Sequence, residues 1–291
     1  MEKMEKLAYY PGCTVKTTAL NFETSALAVA RALGVEMVEL PRWYCCGAVA
    51  SLVTDDLIHH IASIRNLIRV QEMGEKKVVT LCSMCFNTLK QANLLVKKDS
   101  EKLKTISLFM DDEQAYRGEV EVIHFLELFK DIPRDKIKKP LSNLNIAPYY
   151  GCYLLRPESV AIDDIEEPVI MQTILKKLDA NAIDFPFKTE CCGSYHTVFD
   201  KDIVVDRART IIESARKRGA QALALSCPLC SFNLDERQKD IAKKYHGFNP
   251  TPVFYITQLI ALALGLEEEV CRFDLHYIDP RPLLEKLGVS T

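Results

Sequence analysis

Ten of the eleven cysteines in this chain fall into two sets of five with matching spacing, and no other feature limits the possible folds as much. The first set is Cys13, the pair Cys45-Cys46, and Cys82 with Cys85; the second is Cys152, the pair Cys191-Cys192, and Cys227 with Cys230. Gaps of 31 and then 35 residues separate the parts of the first set, and 38 and then 34 those of the second. Both sets end in Cys-x-x-Cys, and both pairs are followed by glycine, Gly47 and Gly193. A chain repeated in this way folds as two similar units, and 291 residues suffice for two separate cores.

The chemistry of the sets follows from their number. Adjacent side chains diverge, and a tetrahedral zinc site is complete with four ligands, so five thiolates ask for more than one metal atom. A polynuclear iron-sulfur cluster meets that demand, because neighbouring cysteines can bind different irons. Buried cysteines acting as small hydrophobes would have to reproduce one five-part spacing twice. Zinc held by four thiolates of one set stays open, with the fifth unexplained.

Composition narrows the setting. The apolar fraction is 48% and the charged fraction 26%, as in a soluble globular protein. Net charge is -3, and the short basic clusters at 97–98, 138–139 and 216–218 alternate with acidic neighbours, which argues against a nucleic-acid partner. Residues 1–6 run directly into a strand-like segment without the apolar stretch of a secretory signal, and the apolar run at 253–266 is too short to span a bilayer. The expectation is a cytoplasmic protein, where clustered cysteines bind metal or do redox chemistry rather than form disulfides.

Hydrophobic periodicity predicts strands at 7–10, 35–40 and 77–81 and helices at 21–33, 55–73 and 83–96 in the first half. In the second half it predicts strands at 145–150, 182–185 and 222–226 and helices at 168–178, 201–218 and after Pro228. Each half closes with an apolar strand-helix segment, at 120–129 and 253–264. Strands alternating with helices mean a parallel sheet, and every set cysteine falls at a strand C-terminal end, where such sheets carry their sites. The fold class is therefore α/β, with two pseudo-repeated domains at 1–138 and 139–291 joined by a charged, proline-bearing linker at 130–140. The stretch 97–112 reads as a solvent face, and the tail 271–291 as irregular packing on the surface or against a partner.

Tyr9-Tyr10-Pro11-Gly12-Cys13, with Cys45-Cys46-Gly47 and Cys82-x-x-Cys85, repeated from Tyr149 onward, resembles the cysteine-rich CCG-domain family. Two such domains in a bare chain of this length resemble the B subunit of heterodisulfide reductase. The resemblance implies two noncubane 4Fe-4S clusters, one per cysteine set, facing each other across the inter-domain cleft. It implies a disulfide substrate between them, CoM-S-S-CoB or a related one, cleaved to two thiols. It further implies electrons delivered by a ferredoxin-like C subunit from a flavin-containing A subunit, often in an electron-bifurcating complex. The chain has neither a ferredoxin-type cysteine run nor a Gly-rich dinucleotide fingerprint of its own.

Cleaving a disulfide needs protons. His196, four residues beyond Cys192, is the leading candidate to supply one, with a helix-capping role as the alternative. Lys16 and Tyr195 are further candidates. Arg42 and Lys188 stand three residues before their pairs, where they could hold an anionic substrate or act on the clusters electrostatically. His59 and His60 read as structural, and Cys271 as a free thiol outside both sets. Beside the disulfide-reducing enzyme stand two other readings, an electron relay to a flavoprotein dehydrogenase for a hydroxy acid or similar substrate, and a zinc-binding assembly module.

Overall fold

The repeat in the sequence is a repeat in space in the computed structural model, which describes residues 4–48 and 57–289. The first half runs β1 (Glu5–Tyr9), α1 (Leu20–Ala32), β2 (Val35–Glu39), α2 (Ile58–Glu72), β3 (Lys77–Thr80), α3 (Ser83–Lys98), α4 (Ser100–Ser107), β4 (Glu121–His124) and α5 (Phe125–Leu128). The second runs β5 (Asn145–Pro148), α6 (Ile170–Lys177), β6 (Asn181–Ala182), α7 (His196–Phe199), α8 (Lys201–Lys217), β7 (Ala222–Leu225) and α9 (Pro228–Ser231). A π-helical turn (Phe232–Glu236), α10 (Gln238–Lys244), β8 (Val253–Tyr255) and α11 (Ile256–Ala263) complete it, and α12 (Arg281–Lys286) lies in the tail.

Each half holds one four-stranded, all-parallel sheet, in the orders β2-β1-β3-β4 and β6-β5-β7-β8. The inner strands are apolar runs because helices cover both faces of such a sheet; every residue of β7 is buried. Ala8 pairs with both Val38 and Val78, so β1 lies between β2 and β3 in the first sheet. From β1 the chain moves outward to β2 and then crosses back to β3, making the β1/β3 boundary a topological switch point, where open α/β sheets bind ligands.

The halves meet through matching elements. α1 packs on α11, and α6 on α5, the reciprocal pair under the repeat. At the first contact the rings of Phe22 and Tyr255 stack with centroids 4.2 Å apart and planes at 4°, and the Ser25 and Thr257 hydroxyls are 2.6 Å apart. Nearer the cysteines, Ser83 Oγ donates to Ser226 O at 3.0 Å, and Asn87 Nδ2 donates to Tyr153 O and Arg156 O at 2.7 Å each. The segment at 130–140 is tied down as well, Lys138 N and Lys139 N both donating to Ala263 O.

Four segments depart from the periodicity. The helix expected over 55–73 is seen from Ile58, residues 55 and 56 lying outside the described ones. β6 is only two residues long; Ile183 N still bonds Ile146 O at 2.8 Å, and then the chain turns away through Pro186. Within 97–112, α4 forms behind an Asp99 side chain that accepts from Lys102 N, and it buries Ile106. The tail packs on its own chain, because it has apolar residues to bury: Cys271, Phe273 and Leu284 are all in the core. Asp235 accepts from Tyr277 N and Ile278 N at 2.8 and 3.0 Å, and Gln258 Nε2 donates to Cys271 O at 2.7 Å. No helix among the described residues is long and apolar enough to cross a membrane.

Candidate metal centre

Cys13 follows β1, the Cys45-Cys46 pair follows β2, Cys82 follows β3 and Cys85 lies in the first turn of α3. The second set stands on β5, β6, β7 and α9 in the same way. Each set thus collects at the C-terminal ends of three adjacent strands, at the switch point.

Two local devices repeat. Tyr10 and Tyr149, each three residues before the first cysteine of its set, donate their hydroxyls to the backbone carbonyl just ahead of the pair. The bonds are Tyr10 to Tyr44 O at 2.8 Å and Tyr149 to Glu190 O at 2.6 Å. Gly12 and Gly151, next to the first cysteine, have φ of +77° and +64° and run against the last cysteine: a Cβ there would lie 2.7 Å from Cys85 Sγ and 3.3 Å from Cys230 Sγ. Only glycine takes this backbone at no cost.

Within a set the sulfurs form a continuous run. Cys13 Sγ is 3.8 Å from Cys45 Sγ; the Cys46 thiol interacts with those of Cys45 and Cys85, and Cys85 with Cys82. Cys152, Cys191, Cys192, Cys230 and Cys227 follow the same sequence of contacts. The two runs join, because the Cys82 thiol interacts with that of Cys227. Among the described residues no three His, Cys, Asp or Glu side chains surround a single point as ligands of one ion. Sulfurs spread along a run suit several metal atoms better than one.

Electrostatics agree with a cationic occupant. The neighbouring thiols Cys46 and Cys82, together with burial, push Cys85 well above its ordinary value, and Cys192 and Cys227 do the same to Cys230. Five thiols this close cannot all ionise without positive charge among them. Beside the second set, Asn233 Oδ1 is buried without a hydrogen-bond partner among the described residues, as it would be on the wall of a site for a bound group, and the Ser194 and Tyr195 hydroxyls lie against that of Tyr153.

The profile of the Cysteine-rich domain family, CCG, matches residues 7–90 and 146–235, one stretch around each set. The chain belongs to the CCG cysteine-rich domain family. The 8-methylmenaquinol:fumarate reductase membrane anchor subunit of Wolinella succinogenes is 32% identical over 96% of this chain and 99% of its own. The B subunit of the ferredoxin:CoB-CoM heterodisulfide reductase of Methanosarcina mazei is 27% identical over 98% and 97%. A solved structure of a hypothetical protein from Helicobacter pylori aligns at TM-score 0.77 and 14% identity, a likeness of fold alone; this CCG chain covers 94% of itself and 53% of that protein.

The remaining candidates lie at different distances from the CCG cysteines. Tyr195 stands between the sets: burial chiefly raises its pKa, and Tyr153, Cys46 of the first set and Cys227 of the second add to the rise. His196 is exposed at the start of α7, its backbone N bonded to Gly193 O. Lys16 is ion-paired to Glu39 at 2.7 Å and Glu23 at 3.0 Å; burial lowers its pKa, but these two carboxylates outweigh that and raise it. Lys188 is buried against Glu167 and Asp184, and its carbonyl accepts from Tyr150 N and Gly151 N, so it braces the loop. Arg42 reaches Glu72 at 3.8 Å. His59 and His60 have their rings 3.9 Å apart on α2, and Cys271 is buried in the tail.

Sequence reading missed the Tyr10 and Tyr149 clamps, although their matching step before Cys13 and Cys152 was a usable signal. It also missed Asn233, whose Nδ2 donates to Cys192 Sγ at 3.3 Å and Ser194 O at 3.2 Å.

Proposed function

We propose that this CCG chain is the catalytic iron-sulfur subunit of a heterodisulfide-reductase-like complex, reducing a disulfide to two thiols. In this reading Cys13, Cys45, Cys46, Cys82 and Cys85 hold one noncubane 4Fe-4S cluster, and Cys152, Cys191, Cys192, Cys227 and Cys230 hold a second. The observation that carries it is the meeting of the two sets, Cys82 beside Cys227, with Tyr195 between them. Two independent electron stores would not need to touch, whereas breaking one S-S bond calls for two centres within reach of its two sulfurs. Bound clusters would supply single electrons and iron sites with affinity for sulfur.

The chain's own part is placement and protons. Reduction of R-S-S-R′ takes up two electrons and two protons and releases RSH and R′SH. The Tyr195 hydroxyl, buried beside that of Tyr153 and kept protonated, is placed to donate a hydrogen bond to a sulfur between the sets. His196, exposed at the mouth of α7, suits proton exchange with water. Lys16 is held charged by its carboxylates and contributes to the field near the first set. Electrons would come from a ferredoxin-like C subunit and a flavin-containing A subunit of a cytoplasmic complex.

A second reading has one specific support, the 32% identical relative named as a fumarate reductase membrane anchor subunit. In it the same clusters relay electrons to another subunit's reaction. Protein purified without oxygen separates the possibilities. About eight iron and eight sulfide per chain, with negligible zinc, are expected for two four-iron clusters; about one zinc with half that iron would end the two-cluster reading. Consumption of a disulfide by the viologen-reduced chain alone supports the enzyme, and its absence across a panel of disulfides supports the relay.

A further inference from the structure

Backbone donors to sulfur repeat between the two sets. Ala48 N-H serves Cys46 as Ser194 N-H serves Cys192, and Cys85 N-H serves Cys82 as Cys230 N-H serves Cys227. Other contacts to sulfur differ between the sets, Thr14 Oγ1 standing 3.8 Å from Cys13 Sγ in the first and Gly193 N-H donating to Cys191 Sγ at 3.4 Å in the second. The second set also has a buried side-chain amide. Asn233, fully buried, directs its amide to Cys192 Sγ at 3.3 Å and to Ser194 O at 3.2 Å. The reason lies in the chain. After the last cysteine the first copy reads Cys85-Phe86-Asn87, and the second Cys230-Ser231-Phe232-Asn233.

The Phe-Asn pair comes one residue later in the second copy, and one residue on a helix is a rotation of about 100°. Asn87, on the regular helix α3, accordingly faces the other half and donates to Tyr153 O and Arg156 O. Thr88, at the same count from its cysteine as Asn233, bonds the Met84 carbonyl of its own helix. Asn233 instead sits in the π-helical turn, closed by Arg237 N to Phe232 O, and turns back on its own set. π-turns of this kind are uncommon and concentrate at functional sites.

We infer that Asn233 makes the two centres electronically unequal, by holding the second at a higher reduction potential than it would have without the amide. A neutral N-H donor stabilises negative charge on the thiolate, and a reduced cluster carries more of that charge, so the bond favours the reduced state. Electrons arriving at the joined pair are thereby drawn toward the second set. This rests on the cluster reading above. Asn233 acts through Cys192, and is a positioning residue for the centre's charge.

The test is a potentiometric titration followed by electron paramagnetic resonance, on the full chain purified without oxygen, for wild type, Asn233→Leu and Asn233→Asp. Both variants approximate the shape of asparagine and lack the donor. The expected result is unchanged iron and sulfide with a negative shift in the midpoint of one of the two clusters, larger for Asn233→Asp, and the other midpoint unmoved. Asn87→Leu, at the residue facing the other half, is expected to leave both midpoints in place. Unmoved midpoints in both Asn233 variants overturn the inference and leave the clusters standing. Loss of half the iron in both variants also overturns it, assigning Asn233 to holding the loop. Wild-type protein without iron overturns the cluster reading first, before any variant is compared.

Discussion

Replacing Gly12 by alanine tests how closely the backbone is fitted to its cysteines. At φ +77° an L-residue is left-handed, which costs about 1–2 kcal/mol. The new Cβ would stand 2.7 Å from Cys85 Sγ, nearly an ångström inside ordinary contact, and Cys85 is buried at the base of α3 with no room to retreat. Overpacking of this kind costs about 1–3 kcal/mol, giving about 2–5 kcal/mol together. Gly151→Ala carries the same left-handed cost at φ +64°, but its Cβ meets Cys230 Sγ at 3.3 Å, which a small shift relieves. Gly12→Ala is therefore expected to be the less stable of the two in urea unfolding, and to lose iron from the first centre while Gly151→Ala keeps both. Midpoint temperatures should separate by about 2–4 °C for each kcal/mol between them. Equal stability and equal iron in the two variants would show that the Cys85 sulfur is not held where the fold places it, and the reasoning from close approach would fail.

Tyr149→Phe should cost about 1–3 kcal/mol, since Glu190 O then has no donor among the described residues. Tyr10→Phe should cost about 0.5–1.5 kcal/mol, because Tyr44 O keeps Asn66 Nδ2 at 3.0 Å; urea midpoints of the pair check the order. Phe22→Ala, which removes the ring stacked on Tyr255 between the halves, is expected to destabilise by about 3–5 kcal/mol, read as a lower calorimetric transition. His124 is buried, with Nε2 donating to Leu81 O at 2.9 Å and Nδ1 accepting from Leu126 N at 3.2 Å, an arrangement only the neutral ring satisfies. Burial lowers its pKa to about 3 from an ordinary 6.5. The unfolded chain thus binds the extra proton between those values, and His124 stabilises fully above pH 6.5 and loses that contribution as pH falls toward 3. Unfolding at pH 7 and pH 5 should show about 2 kcal/mol more acid loss in wild type than in His124→Gln; identical slopes would refute the assignment.

The site was more legible in sequence than the surfaces around it. Cysteine spacing marked both sets, which the fold gathers at strand C-terminal ends, and strand-helix alternation located the sheets because their inner strands are buried on both faces. The tail packs irregularly, as expected, but its anchors were not legible: Cys271, Phe273 and Leu284 are isolated apolar residues without a period, and what holds the tail, Asp235 and Gln258, lies elsewhere in the chain. α4 hid behind its charges, since one buried residue, Ile106, is too few to set a helical pattern. Asn233 could not be found by spacing, because its direction depends on a turn whose hydrogen bonding is visible only in the fold. Tyr195 was named, but its place between the two sets arises from packing of the halves.

Repetition and exception in this fold separate what builds the centres from what distinguishes them. The features that repeat, the tyrosine clamps, the glycines before Cys13 and Cys152 and the backbone donors to sulfur, are those any cysteine set at a strand-end switch point requires. Each set also has contacts of its own: Thr14 Oγ1 beside Cys13 Sγ and Ser63 Oγ donating to Cys46 O at the first, Asn233 donating to Cys192 Sγ and Arg207 to Cys191 O at the second. Exposure differs as well: Cys13 and Cys45 are open to solvent, whereas Cys152 and Cys191 are half-buried. Burial costs a charged group stability, and a donor such as the Asn233 amide offsets part of that cost. The inequality proposed for the two centres thus rests on the Asn233 amide and on the deeper burial of Cys152 and Cys191, and the midpoint shift in Asn233→Leu decides it.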